Sequence, residues 1–279
     1  MSSAVTVLVT GATGTTGSRV ASRLDALGPR LRAASRRAPA RGGGSSVRFD
    51  WYDPATFGEA LRGVDRMYLV PPVDTTDPAA VMAPFLEQAV AAGVRRAVLL
   101  SSSAIPEGGP GAGGVHTLLP KLFDEWAVLR PSWFMQNFIG DRPHAVSIRE
   151  EGFVMTATGR GRVGFIDADD IAAVAARVLT GEEPPNTDLV LTGPEALGYD
   201  DVAATISRVS GRPVRHLAVD RERMRDHLAA TMPREYAAML TDLDLAIADG
   251  AEDRVTPVVE RITGLPPRSF AAVAAGWTW

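Results

Sequence analysis

Gly11, Gly14 and Gly17 stand three residues apart, directly behind the apolar run Val5-Thr6-Val7-Leu8-Val9. A helix-forming stretch, Ser18–Leu27, follows them. Glycines in that setting suit one chemistry, the cradling of a dinucleotide pyrophosphate. The first permits a tight turn and the second lets a phosphate approach the backbone. The third lets the helix pack against the strand, so the amides at the helix N-terminus face the anion. The hydroxyls of Thr13, Thr15 and Thr16 add donors to the same turn. The spacing is G-x-x-G-x-x-G rather than the commoner G-x-G-x-x-G, so the motif draws its weight from the strand before it and the helix after it. An ordinary glycine-rich loop is the plain alternative.

Further candidates follow from a general rule: in an open parallel sheet, ligands bind at the carboxyl ends of the strands. Ser35-Arg36-Arg37 ends the second apolar run. An NAD site would place an acidic residue there to bind the ribose 2′-hydroxyl. A serine with two guanidinium groups suits a 2′-phosphate, because the rigid arginine fork pairs with phosphate. The expectation is therefore NADP(H) over NAD(H). Asp50 either accepts from an adenine amino group or caps the helix that begins near Pro54. Val70-Pro71-Pro72 forms a stiff turn suited to a ribose or adenine face. Ser101 and Ser102 are placed to bond a substrate oxygen or the nicotinamide ribose, and amides near Pro131 to hold the carboxamide. Trp133, Phe134, Met135 and Phe138 offer an apolar wall, part of it core, with Asn137 as its polar member.

The elements that must position these residues alternate through the first half. Strands are expected at 5–10, 31–35, 47–50, 66–70, 97–101 and 126–130, and helices at 17–27, 54–62, 78–92 and 115–124. Runs such as Met67-Tyr68-Leu69-Val70 are apolar without alternation, as strands buried on both faces are. The pattern predicts an α/β fold, a doubly wound parallel sheet covered on both faces. Arg41-Gly42-Gly43-Gly44-Ser45-Ser46 reads as a flexible connector. Glu107–Gly114, with five glycines and one proline, reads as a mobile surface loop that is either simply solvated or a lid. After residue 138 the pattern changes. Short strands are expected at 153–158, 163–166, 188–191 and 214–219. Helices are expected at 171–179, capped by Asp167, and at 199–210, with 220–250 and 255–275 broadly helical. The division expected is a cofactor domain at 1–138 and a small α/β substrate lobe at 139–279, with elements near 163–179 and 188–192 returning to the main sheet.

Composition bounds the function. The 279 residues are 46% hydrophobic, enough for a sizeable core, and the net charge of −4 argues against a nucleic-acid surface. Cysteine is absent, which excludes disulfides, thiolate metal sites and thiol catalysis; no metal site is expected. No apolar run is long enough to span a bilayer, and no signal peptide is read. A cytoplasmic protein acting on a small organic molecule is the expectation, with no membrane or nucleic-acid partner; no interface pattern indicates an oligomeric state.

Three of these motifs together carry a resemblance. Val-Thr-Gly-Ala-Thr-Gly-Thr-Thr-Gly at 9–17, Ser-Arg-Arg at 35–37 and Leu-Arg-Pro-Ser-Trp-Phe-Met-Gln-Asn-Phe at 129–138 resemble the NmrA-like family of atypical short-chain dehydrogenases/reductases. Gly-Phe-Ile-Asp-Ala-Asp-Asp-Ile-Ala at 164–172 and Leu-Thr-Gly-Pro-Glu at 191–195 are similar as well. Within that family the chain looks closest to the ergot-alkaloid reductase branch, with triphenylmethane and quinone reductases as wider relatives. The resemblance extends over nearly the whole chain. It implies a Rossmann-type core, NADP(H) and a small C-terminal substrate lobe. It does not fix a substrate, since the family holds both reductases and dinucleotide-sensing regulators.

Ordinary short-chain dehydrogenases use a Tyr-x-x-x-Lys pair, and this chain has none: its one lysine, Lys121, follows Thr117 by four. Lys121 reads as solvated, with Pro120 interrupting its helix. His116 is the titratable group of that segment with a pKa suited to proton transfer, although a lone histidine is often structural. Without the pair, reduction of a ketone lacks its proton donor. A flat, electron-poor acceptor of iminium, quinone or conjugated type needs less help. The sequence thus points to an NADPH-dependent reductase of such acceptors, with a non-catalytic dinucleotide sensor as the alternative.

Overall fold

The computed structural model describes residues 5–37 and 45–279. The connector expected at 41–46 falls largely outside the described residues; Ser45 and Ser46 already belong to a strand.

Contacts divide the chain into two compact units. The first comprises residues up to Pro131, Ala168–Leu191 and Val258–Leu265. It begins with β1 (Thr6–Val9), α1 (Gly17–Leu27), β2 (Arg30–Ser35), β3 (Ser45–Arg48), α2 (Phe57–Leu61) and β4 (Arg66–Leu69). It continues with α3 (Pro78–Ala91), β5 (Arg96–Leu100), α4 (Ala112–Leu122) and β6 (Glu125–Pro131). The second unit begins with α5 (Pro143–Glu151), β7 (Phe153–Thr156) and β8 (Arg162–Val163). The chain then returns to the first unit as α6 (Ala168–Thr180) and β9 (Thr187–Leu191). The second unit resumes with β10 (Leu197–Gly198), α7 (Tyr199–Ser210), β11 (Arg215–Ala218), α8 (Arg221–Ala229) and α9 (Arg234–Ala248). α10 (Val258–Thr263) belongs to the first unit and α11 (Phe270–Ala274) to the second.

Seven parallel strands form the main sheet in the order β3-β2-β1-β4-β5-β6-β9. This is a Rossmann-like α/β sheet with flanking helices. Its central strands are buried on both faces: Val7, Leu8, Val9, Met67, Tyr68 and Leu69 are all fully buried. One face packs Leu8, Met67, Leu69 and Leu99 against Phe85, Leu86, Val115 and Leu119 of α3 and α4. Burial of such aliphatic and aromatic side chains stabilises each by roughly 1.5–3 kcal/mol. The strand order reverses beside β1, which sets the open edge of a crevice at the carboxyl ends of β1 and β4.

Two expectations are corrected. The glycine segment 107–114 does not run as an open loop, since α4 already starts at Ala112. A Cβ on Gly113 would lie 2.6 Å from the Pro106 carbonyl oxygen, and one on Gly114 would lie 3.0 Å from Ala79. These glycines therefore serve close packing of a turn on two helices. Pro120 does not interrupt α4, which runs on to Leu122. So near the helix end the proline forfeits only one amide donor. In addition, the strand expected at 163–166 contracts to two residues, with Ile166 left as a single bridge to Phe134.

The second unit has its own core, in which Phe138, Phe165, Tyr199 and Phe270 pack edge-on. His144 stacks on Phe138, ring centroids 5.5 Å apart. Burial lowers the His144 pKa from its ordinary 6.5 to about 4, with His216 and His227 adding to the effect. Its folded-state pKa is thus depressed, so between pH 6.5 and 4 the unfolded chain binds the proton and the folded chain does not. Stability from this group is lost as pH falls through that window. Asp244, pushed up to about 6 by burial, acts in the opposite sense between its ordinary 3.8 and 6. A His144→Phe variant keeps the stack and removes the protonation. Relative to the parent it gains on the order of 3 kcal/mol in total between pH 6.5 and 4. Urea denaturation at several pH values checks this, and a constant difference between the two proteins would refute it.

Candidate functional site

The glycine turn is a closed cradle. Gly11 adopts a left-handed φ of +61°, and Gly14 N donates to its carbonyl at 2.8 Å. A Cβ on Gly17 would lie 2.2 Å from the Gly11 oxygen and 2.7 Å from its carbon. The third glycine therefore lets α1 close onto the turn itself rather than onto the strand. Of the opening amides of α1, Ser18 N already donates to Gly14 O at 3.1 Å and Val20 N to Thr16 O at 2.9 Å, whereas the Gly17 amide donates to no described residue; the helix dipole favours an anion there. The Thr13 amide donates to no described residue, and Thr13 and Gly14 are exposed. Gly14 N, already engaged with Gly11, is not among the available donors. Thr15 is half-buried, and its carbonyl accepts from Arg19 at 2.7 Å. Thr16 is buried against the Tyr68 phenol, whose pKa burial pushes up. Its hydroxyl is turned to that phenol, and Thr16 stands at the N-cap of α1.

Thr10 went unnoticed in the sequence, although a polar residue closing an apolar strand was the signal. It is fully buried, donates its hydroxyl to the Tyr68 carbonyl at 3.1 Å and accepts from Val70 N at 2.8 Å. It thereby ties the ends of β1 and β4 together. On the other side Ala12 N donates to Ala34 O at 3.1 Å, which fastens the cradle to the end of β2. Ser35 follows directly and turns its hydroxyl to the Arg37 carbonyl, while Arg36 and Arg37 are exposed. The candidates Gly11–Gly17 and Ser35–Arg37 are thus brought together by backbone bonds.

Asp50 accepts from Tyr52 N at 3.1 Å. The helical turn at Pro54 is capped by Asp53, whose carboxylate accepts from Ala55 N, so the cap reading of Asp50 is corrected. Val70, Pro71 and Pro72 are half-buried. Val70 packs on Gly11, and its carbonyl accepts from the Trp51 indole at 3.1 Å. Trp51, edge-on to Phe49 and Phe85, was overlooked as the support of this turn.

Beyond β5 the chain keeps pairing with β6: Ser101 N donates to Leu129 O at 2.7 Å and Ser103 N to Pro131 O at 2.9 Å. The Ser101 hydroxyl is buried and has no hydrogen-bond partner among the described residues. An orphaned hydroxyl costs about 1–3 kcal/mol unless a ligand satisfies it. Together with a cradle that a Cβ would fill, it fits a dinucleotide along this edge of the sheet. The Ser102 hydroxyl accepts from Ala104 N at 3.3 Å. His116 is buried in α4 beside Trp126, ring centroids 6.0 Å apart, and its Nδ1 has no hydrogen-bond partner among the described residues. Lys121 is exposed.

In the second unit Met135 and Phe138 are core residues, 1% exposed each, which removes them from the wall. Trp133, Phe134 and Asn137 are half-buried, and Trp133 packs partly on the same core. The segment is zipped to its neighbour by Met135 N to Ile166 O and Ile166 N to Trp133 O, both 2.9 Å. Gln136 donates to the buried Asp167 at 2.7 Å, and Arg268 pairs with the same carboxylate. The side chain of Asp167, expected as a helix cap, is thus engaged by Gln136 and Arg268.

A parallel sheet in this order, with a glycine cradle behind its first strand, defines an NAD(P)-binding protein of Rossmann type. Comparisons sharpen the class. Residues 7–117 match the model of the NAD dependent epimerase/dehydratase family. The chain is 47% identical over 277 residues to the uncharacterized oxidoreductase YesF of Bacillus subtilis, covering 98% of this chain and 96% of that one. It is 38% identical to agroclavine dehydrogenase of Claviceps fusiformis, covering 96% and 95%. The fold is shared with the NADPH-dependent quinone oxidoreductase of Escherichia coli in complex with NADPH, at a TM-score of 0.83 and 24% identity, covering 96% and 98%. The chain belongs to the oxidoreductase family that includes YesF and agroclavine dehydrogenase, as an NAD(P)H-dependent oxidoreductase. No helix among the described residues is long and apolar enough to cross a membrane.

Proposed function

We propose that this oxidoreductase prefers NADPH and reduces a small, flat, electron-poor organic acceptor of iminium, quinone or conjugated type. The observation that carries the cofactor reading is the bond from Ala12 N to Ala34 O. It ties the end of β2, which leads directly into the exposed Arg36 and Arg37, to the glycine turn. When bound, the reduced nicotinamide supplies hydride. The residues of the chain supply the rest. Thr13, Thr15 and the Thr16 and Gly17 amides at the head of α1 grip the diphosphate, with Gly11, Gly14 and Gly17 shaping the turn. Ser35, Arg36 and Arg37 take the 2′-phosphate. Asp50, Val70, Pro71 and Pro72 line the adenosine side, and Ser101, Ser102 and Pro131 the nicotinamide side. The Ser101 hydroxyl gains its missing partner there.

Trp133, Phe134 and Asn137 are the proposed acceptor contacts, an aromatic wall that stacks a flat ring and keeps water from it. The chain has no Tyr-x-x-x-Lys pair, and burial of His116 in α4 gives no support to a proton-transfer role. An acceptor that is already electron-poor suits a site so equipped. Agroclavine dehydrogenase, among the relatives, supports redox chemistry on a small organic molecule.

Calorimetry with NADPH and NADH tests the preference. Arg36→Ala and Arg37→Ala should each weaken NADPH about tenfold or more, as expected for a lost charge-assisted bond of 1.5–3 kcal/mol, and leave NADH within twofold. Equal affinities of the parent for the two coenzymes would overturn the preference. Absence of turnover across iminium, quinone and enone acceptors, with NADPH bound, would overturn the acceptor class.

A further inference from the structure

We infer that Arg130, held by Asp188, is a positioning residue that sets the turn Ser101–Ser103 and so the placement of the nicotinamide; this rests on the reading that Ser101 and Ser102 line the nicotinamide side. The turn is fixed from two directions. Its amides are tied to β6 by Ser101 N to Leu129 O and Ser103 N to Pro131 O. Its carbonyls point to one guanidinium: Arg130 Nε donates to Ser102 O at 3.4 Å and Nη2 to Ser103 O at 3.0 Å. The remaining arm, Nη1, meets Asp188 Oδ2 at 2.6 Å. A guanidinium is planar and its donors diverge at fixed angles, so anchoring one arm fixes the direction of the other two.

Register explains how Asp188 comes to be there. Val128 of β6 faces Asp188 of β9, and Arg130 lies two residues on from Val128, so all three share one face of the sheet. Arg130 and Asp188 are 17% and 34% exposed, close to the surface but largely covered. The turn they hold carries the Ser101 hydroxyl, which is buried and has no hydrogen-bond partner among the described residues, so the placement of its Cα by the backbone bears directly on where the hydroxyl can reach. Arg130 bonds the carbonyls of this turn, and Asp188 acts through Arg130.

The test uses Asp188→Ala, Asp188→Glu and Arg130→Lys in the full chain. Three quantities are read: the NADPH Kd by calorimetry, the fluorescence lifetime of bound NADPH, and single-turnover hydride transfer to a 1,4-naphthoquinone. Because the phosphates are gripped elsewhere, Asp188→Ala should change Kd less than threefold. The lifetime should move about twofold toward that of free NADPH, and transfer should slow about tenfold. Arg130→Lys, which lacks the fork, should behave like Asp188→Ala, and Asp188→Glu should recover most of both signals. Unchanged lifetime in the folded Asp188→Ala protein, or losses that only follow the unfolded fraction, would overturn the inference. A parent protein that binds no NADPH would instead sink the cofactor reading, and this inference with it. A parent that binds NADPH beside variants of unaltered lifetime sinks the positioning role alone.

Discussion

Gly17→Ala weakens NADPH binding roughly a hundred-fold, about 2.7 kcal/mol at 25 °C. The single added carbon has no room: it would sit 2.2 Å from the Gly11 oxygen and 2.7 Å from its carbonyl carbon. Both obstacles are backbone, so no side chain can swing aside. Either α1 slides outward or the turn at Gly11 deforms. Overpacking of this sort costs about 1–3 kcal/mol in a close-packed interior. Here it also misaligns the amides at the start of α1 from the turn before them. Gly14→Ala is the informative companion. Its Cβ would meet nothing closer than the Gly11 oxygen at 3.3 Å, and its φ is not left-handed. That variant should fold with near-parental stability and lose affinity only through contact with the phosphate. Calorimetry and thermal melts on both proteins separate the two roles. A Gly17→Ala protein with parental affinity would mean that the cradle is not the phosphate site.

Arg96→Met destabilises the protein by about 3–5 kcal/mol, the cost of breaking a buried ion pair from one side. Arg96 is fully buried at the start of β5. Its Nε donates to Glu125 at 2.7 Å. Its Nη1 donates to Val178 O at 2.7 Å and Gly181 O at 2.8 Å, and Nη2 to Glu182 O at 3.0 Å. One side chain thus satisfies the end of α6 and fastens it to β5 and β6. Methionine fills similar volume but leaves Glu125 without its buried partner and takes the side-chain donor from the Val178 and Glu182 carbonyls. The Gly181 carbonyl keeps its bond from Arg66 at 3.1 Å, which limits the collapse. Arg96→Lys keeps the charge without the fork and should fall between the two. Guanidinium denaturation measures the loss; a change below about 1 kcal/mol would show that α6 is held by apolar packing alone.

The first half of the fold was legible because two periodicities are written there without interference. Strands buried on both faces appear as unbroken apolar runs, and glycine, proline and acidic caps mark the helix ends. The helix expected at 17–27 is found with those bounds. Legibility failed where glycine served packing rather than freedom. Gly113 and Gly114 are small because Pro106 and Ala79 press on them, which a composition count reads as a loose loop. It failed again in the wall, since Met135, Phe138, Trp133 and Phe134 look alike in sequence and only packing divides core from surface.

The amino-acid sequence alone determined the cradle, the serine–arginine turn after β2 and the alternation that makes a parallel sheet, because each depends on neighbours within a few residues or on burial of a whole strand. Only the tertiary structure decided which distant groups complete them. Asn186, in a left-handed conformation at φ 47°, joins β9 to β6 by bonding Trp126 N and Asp124 O. That join brings Asp188 to Arg130, and Arg96 reaches the end of α6 across more than eighty residues. Such partners meet through strand order and register, and no local pattern of side chains encodes either.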